Sequence, residues 1–135
     1  MASSPYLASG DIQPCRFVKT DADFSIAEAN ANEKLFGISQ EGTRTAPIPD
    51  TSETLAAKVG EECRVFQDGE VCLLQLGDTV TADQDLKSDS DGAGVPALTT
   101  GTTVQQIGAV ALQGGAVGEK ILVRVRIDSK LPAVA

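Results

Sequence analysis

The residues best placed to do chemistry in this chain are its carboxylates and thiols, because histidine is absent. Without an imidazole the usual general base and the commonest metal ligand are missing, and Ser-His and Cys-His nucleophile pairs are excluded. The densest carboxylate set is Asp83, Asp85, Asp89 and Asp91, followed by Gly92. A calcium loop needs oxygens at alternate positions, then a glycine, then a distant glutamate. Asp89-Ser90-Asp91-Gly92 supplies only the middle of that pattern, and Lys87 lies among the acids, so this stretch reads as a solvated turn. Paired carboxylates for glycoside hydrolysis are easily drawn from 19 acidic residues, and nothing singles out one pair. No Walker-type phosphate loop and no strand-linked GxGxxG is present, and Gly92-Ala93-Gly94 and Gly114-Gly115 read as turns. Cys15, Cys63 and Cys72 form no CxxC and are odd in number, which fits reduced thiols in a protein folded in a cytoplasm. A Cys63–Cys72 bridge across a hairpin is the alternative. No catalytic residue, cofactor site or metal site emerges, and the expectation is a protein that is not an enzyme.

The elements that would carry any binding surface follow from composition. A chain of 135 residues fits one domain and one modest core. That core must be built from Val, Ile, Leu and Ala, since there are 4 Phe, 1 Tyr and no Trp. Thirteen Gly and six Pro indicate many tight turns and short elements, the habit of β structure. A formal charge of -8 repels phosphate backbones and anionic lipid, so neither nucleic acid nor a membrane is an expected partner. The first residues, Met1-Ala2-Ser3-Ser4-Pro5, carry no basic or apolar run of a signal peptide, and no stretch reaches the length of a membrane span.

Periodicity places the elements. Residues 1–9 read as an N-terminal arm, 10–127 as the β domain with a long loop at 39–58, and 128–135 as a tail. Strand candidates are Cys15-Arg16-Phe17-Val18, Phe24-Ser25-Ile26 and Leu35-Phe36-Gly37-Ile38, with Thr51–Lys58 a short capped helix inside the loop. Cys63–Phe66 and Val71–Leu76 read as a hairpin joined at Asp68-Gly69. Thr79–Ala82, Val95–Leu98 and Ile107–Leu112 are further apolar runs. Ile121, Val123, Val125 and Ile127 alternate with Leu122, Arg124 and Arg126, the pattern of a half-buried strand. The fold class expected is mainly β, a single-domain β-sandwich or squat β-barrel with short helical turns at most.

One phrase order occurs twice. Gly10-Asp11, Phe36-Gly37-Ile38 and Val59-Gly60-Glu61 before Cys63-Arg64-Val65 are echoed by Gly77-Asp78, Ile107-Gly108-Ala109 and Val117-Gly118-Glu119 before Ile121-Leu122-Val123. Such a repeat describes two related β halves over one core. The same phrases, with Leu86-Lys87-Ser88-Asp89-Ser90-Asp91-Gly92 as a turn, resemble the capsid decoration, or cement, proteins of tailed bacteriophages (the DUF2190 type). The long 39–58 loop and the 1–9 arm depart from that pattern.

The resemblance implies a β-rich subunit on the outer capsid surface of a virion, made in the host cytoplasm. It implies the major capsid protein and further copies of itself, as a homotrimer or dimer, as partners, with no catalytic residues and no cofactors. Pro5, Tyr6 and Leu7 in the arm, Pro47, Ile48 and Pro49 in the loop, and Arg124 and Arg126 on the last strand are the candidate capsid or subunit contacts. For the two arginines, charge protection of an edge strand is the structural alternative. Rival readings are another virion β module, such as a tail or head-fibre component, a small trimeric β-barrel enzyme such as a nucleotide pyrophosphatase, and a carbohydrate-binding module. The enzyme lacks its acidic motifs here and the carbohydrate module lacks aromatics.

Overall fold

The structure, a computed structural model, describes residues 4–22, 25–31, 33–41, 55–97 and 105–130. Ten strands occur among them and no helix: β1 (Ser4–Ala8), β2 (Phe17–Ala22), β3 (Ser25–Glu28), β4 (Gly37–Ser39), β5 (Glu62–Phe66), β6 (Val71–Gln75), β7 (Asp85–Ser88), β8 (Gly94–Pro96), β9 (Gln105–Ala111) and β10 (Lys120–Lys130). The first five close into a barrel in the order β1-β3-β2-β4-β5, and the last five form a sheet in the order β6-β10-β9-β7-β8. The chain is mainly β, as its alternating short apolar runs predict.

The two halves are the same structure built twice. In the first, Val18, Lys19 and Thr20 face Glu28, Ala27 and Ile26. In the second, Leu86, Lys87 and Ser88 face Pro96, Val95 and Gly94. Ser4↔Val65 through Leu7↔Glu62 recur as Cys72↔Val123 through Gln75↔Lys120. Ile38↔Phe66 and Ser39↔Val65 recur as Val110↔Arg124 and Ala111↔Val123. Even the parallel contact is repeated: Leu7↔Ser25 and Ala8↔Ile26 in the first half, the single bridge Leu76↔Gly94 in the second. That bridge ties the two ends of the second sheet, with Gly77 N donating to Gly94 O at 2.9 Å.

Local chemistry repeats with the register. Val59-Gly60-Glu61 and Val117-Gly118-Glu119 are the same turn. Gly60 and Gly118 hold φ 85 and 86°. Lys58 N donates to Glu61 Oε1, and Ala116 N donates to Glu119 Oε1, so the glutamate closes its own turn. Cys15 (φ 58°) and Asp83 (φ 71°), the non-glycine residues with positive φ among those described, occupy equivalent positions ahead of β2 and β7. The strand register moves two phrases of the repeat by one residue: Gly10, not Asp11, corresponds to Asp78, and Gly37 corresponds to Ala109, not Gly108.

Two clusters make the core. One fills the first barrel with Ala8, Ile12, Val18, Ile26, Cys63 and Val65, and Tyr6 and Phe36 pack against it. The other combines the second half's Leu74, Leu76, Leu86, Ile121, Val123 and Val125 with Phe17, Ala29, Leu35 and Ile38 from the first. The halves therefore share a core. The backbone ties them too: Phe17 N donates to Gly92 O at 2.7 Å and Gln75 N to Cys15 O at 2.8 Å.

Several expectations are corrected. β5 and β6 do not pair as a hairpin. β5 lies between β1 and β4, whereas β6 lies against β10. The Asp68-Gly69 turn is tight, with Gly69 at φ 92° and Glu70 N donating to Gln67 O. It carries the chain from one sheet to the other: β5 pairs with β1 and β4, and β6 with the longer β10. Residues 1–9, read as an arm, contain β1 over Ser4–Ala8, held between β5 and β3 by main-chain pairing that does not depend on apolar side chains. β10 runs to Lys130, past the boundary drawn at 127. Thr79–Ala82 is not a strand but contributes one bridge, Val80↔Gly115. In the expected loop helix, Thr51–Thr54 lie outside the described residues and Ala57 bridges Ile12. The reading of the cysteines as reduced thiols stands: all three are free and buried.

Candidate interaction surface

The outer face of β9, β10 and β6 brings two sequence-predicted contacts, Arg124 and Arg126, together with a group of exposed apolar side chains. Alternation on β10 sends Ile121, Val123 and Val125 inward and leaves Leu122, Arg124 and Arg126 exposed. Register builds two rows across the three strands. Leu122 lies opposite Leu73 of β6, and Leu112, just past β9, donates its N–H to Leu122 O at 3.0 Å. In the next row Arg124 lies between Val71 of β6 and Val110 of β9. Val71, Leu112 and Leu122 are 45%, 43% and 44% exposed. Neither arginine holds an ion pair among the described residues.

A bulge ends this face. Val125 pairs with Ala109 but Asp128 pairs with Ile107, so β10 carries one extra residue. The Asp68 carboxylate accepts from Ile127 N at 2.9 Å, and Gly69 N donates to Val125 O at 2.7 Å, so the intersheet turn satisfies the bulged backbone. Sequence reasoning assigned Asp68 to a hairpin and missed this role.

The other predicted contacts separate. Tyr6 is half-buried: its ring meets Phe36 edge-on at 5.0 Å and its hydroxyl accepts from Gln67 Nε2 at 3.0 Å. It is a packing residue of the first barrel. Leu7 is exposed on β1, and Pro5 pairs in register with Arg64. Pro47, Ile48 and Pro49 lie outside the described residues. Nothing brings Tyr6 or Leu7 onto the Arg124 face.

Other polar groups hold turns and buried backbone. Asp89 Oδ1 accepts from Asp91 N and Ala93 N at 2.8 and 2.9 Å, closing the turn in which Gly92 takes φ 80°. That carboxylate oxygen is committed to backbone, as the turn reading expects, and no cluster of three potential metal ligands occurs among the described residues. Ser39, fully buried, accepts from Arg16 N and donates to Gln13 O. Burial pushes the Glu28 carboxyl above its ordinary range, against the opposing effects of the Gln13 N–H and Arg16. Burial also raises the Cys15, Cys63 and Cys72 thiols, Cys72 most of all.

No family model and no curated protein matches the chain. A solved structure does. The chain is similar to the N base of head fibre gp8.5 of bacteriophage phi29, with a TM-score of 0.56. Sequence identity is 15%, and the likeness covers 91% of this chain and 92% of that one. At that identity the match shows a shared fold, running through both halves.

Proposed function

We propose that the chain is a non-enzymatic structural subunit of a tailed-bacteriophage head. In this reading it sits on the outer capsid surface as a decoration, or cement, protein whose partner is the major capsid protein. The observation that carries the reading is the fold shared, end to end, with a base segment of a phage head fibre. An acidic exterior suits display in many copies, and three free, buried thiols suit folding in a host cytoplasm. Such a protein acts by differential affinity: binding the assembled shell better than free coat protein stabilises the assembly by mass action. A homotrimer is the assembly proposed for it.

The same likeness favours a second reading, a head-fibre component. One experiment separates the two: co-sedimentation with tailed-phage heads lacking surface subunits, before and after expansion, with the temperature of DNA release recorded. A cement subunit saturates all equivalent lattice sites on expanded heads and raises the release temperature. A fibre base saturates at fewer copies and leaves that temperature unchanged. Absence of binding to every head form refutes both.

A further inference from the structure

The duplication provides an internal control for the β9-β10-β6 face. Equivalent positions can be read across the halves from the strand register. Leu73 corresponds to Pro5 and Leu122 to Arg64. Val110 and Arg124 correspond to Ile38 and Phe66, and Leu112, two residues past Val110, to Gln40. In the first half Ile38 is buried in the shared core with Phe66 packed against it, while Arg64 is exposed. The second half leaves Val110 half-exposed and Arg124, Leu112 and Leu122 exposed. The barrel architecture therefore does not require leucines at these outward positions, since its other copy functions with Arg64 and Gln40 there.

Charge sets the face apart as well. The chain is -8 overall, yet Lys120, Arg124 and Arg126 stand together on the exposed side of β10. The patch thus carries its cationic groups along its central strand, while Glu41, which accepts from Leu73 N, and Asp85, opposite Val110, border it on either side; it selects a partner that sets carboxylates over β10 and apolar side chains beside them. Laying the same face of a second copy onto it brings Lys120, Arg124 and Arg126 from both sides into one contact, where like charges repel. The area also speaks against a dimer held by this face alone. Three strands about 4.8 Å apart and two rows about 7 Å apart cover on the order of 200 Å², against roughly 800 Å² per partner in a standard interface. A patch this small holds only when further contacts or many linked copies add to it, as on a lattice.

We infer that the face formed by Val71, Leu73, Val110, Leu112, Leu122 and Arg124, with Arg126 beside it, docks on an apolar, carboxylate-bearing surface of the assembled coat shell. This rests on the decoration reading above and names its contact. The test compares the full-length protein with three variants: Arg124→Glu/Arg126→Glu, Leu122→Asp, and Arg64→Glu as the equivalent position of the first half. All four are titrated onto expanded heads, and their sedimentation coefficients and melting temperatures are measured without heads.

The expected result is a loss of about tenfold or more in affinity for the first two variants. Arg64→Glu should bind as wild type, and all should melt alike because the substituted side chains are exposed. Wild-type binding that both face variants retain overturns the docking assignment while leaving the decoration reading standing. Face variants that fall to a smaller oligomer yet bind heads normally overturn it in favour of a second copy as occupant. A wild type that binds no head form removes the decoration reading, and the docking assignment with it.

Discussion

The shared core makes a quantitative prediction at Gly108. This residue lies in β9, and a Cβ placed there runs into the Phe17 ring at Cε1, with Leu35 Cδ1 at 2.6 Å and Phe17 Cδ1 at 2.9 Å. Phe17 is fully buried and Leu35 is 3% exposed, so neither can swing aside into solvent. Both come from the first half, whereas β9 belongs to the second. Gly108→Ala thus overpacks the joint between the halves and should cost roughly 2 kcal/mol, within the range for adding a methyl group to a filled core. For a chain of this length that is a fall in Tm of about 6–10 °C. In a Phe17→Leu background the ring atoms are gone and only the Leu35 contact remains, so the alanine should cost about 1 kcal/mol less, a coupling that a double-mutant cycle reads directly. Urea and thermal unfolding followed by far-UV circular dichroism give these values. Tyr6, the one tyrosine of the chain, sits in the other core cluster and reports on the first barrel. Its near-UV signal should shift with the same midpoint, because a shared core makes the halves one cooperative unit. A Gly108→Ala protein that melts with the wild type refutes the packing of Phe17 on β9. A separate Tyr6 transition refutes the single unit.

Other outcomes follow from particular contacts. The native protein should resist a thiol reagent such as DTNB and expose all three cysteines only in denaturant, since burial raises each thiol and covers it; rapid native labelling contradicts this. Glu33 is held below its ordinary range first by the Lys19 ammonium, 2.6 Å away, and then by Asn30 N–H. A lowered carboxylate contributes stability above its unfolded pKa and loses it as pH falls through the folded one. Glu33→Gln should therefore cost about 0.5–1 kcal/mol at pH 7, with wild type and variant converging in parallel melts as pH falls through and below the ordinary carboxylate range. Asp89→Ala removes the acceptor for two backbone amides and should cost about 1–2 kcal/mol, and millimolar calcium should leave the melting of wild type and variant alike unchanged; a calcium-induced rise confined to wild type contradicts the turn assignment.

How far the fold was legible depends on whether a signal was local. The Val-Gly-Glu turns were readable because positive φ at Gly60 and Gly118, and a glutamate that reaches back to its own turn, are properties of three or four adjacent residues. The alternation of β10 was readable through Ile127, which still packs against the core although a bulge shifts the register between Val125 and Asp128. Pairing partners were not. Asp68-Gly69 correctly marks a tight turn, but whether β5 and β6 then meet depends on β1, β4 and β10, residues distant in sequence. Ser4–Ala8 looked like an arm because its partners, β5 and β3, hold it by main-chain bonds that leave no mark on side-chain pattern. Of the candidate surface, Arg124 and Arg126 were visible from alternation. Val71, Leu73, Val110 and Leu112 join them only through the register of three strands.

The duplication also indicates which positions the fold constrains and which it leaves free. Inward positions stay apolar in both copies: Ile12 and Val80, Val18 and Leu86, Cys63 and Ile121, Val65 and Val123. These side chains differ in size but not in character, as packing around a buried centre demands. Outward positions obey no such rule, and there the copies diverge in kind: Arg64 against Leu122, Gln40 against Leu112. Solvent contact penalises the second set, since clustered exposed leucines lower solubility without adding to the core. The divergence runs both ways: Leu7 is exposed where the second half has Gln75, and Ile38, the equivalent of half-exposed Val110, is buried in the shared core. What occupies an outward position is thus set by what lies over it, and not by the strand pairing that both halves share.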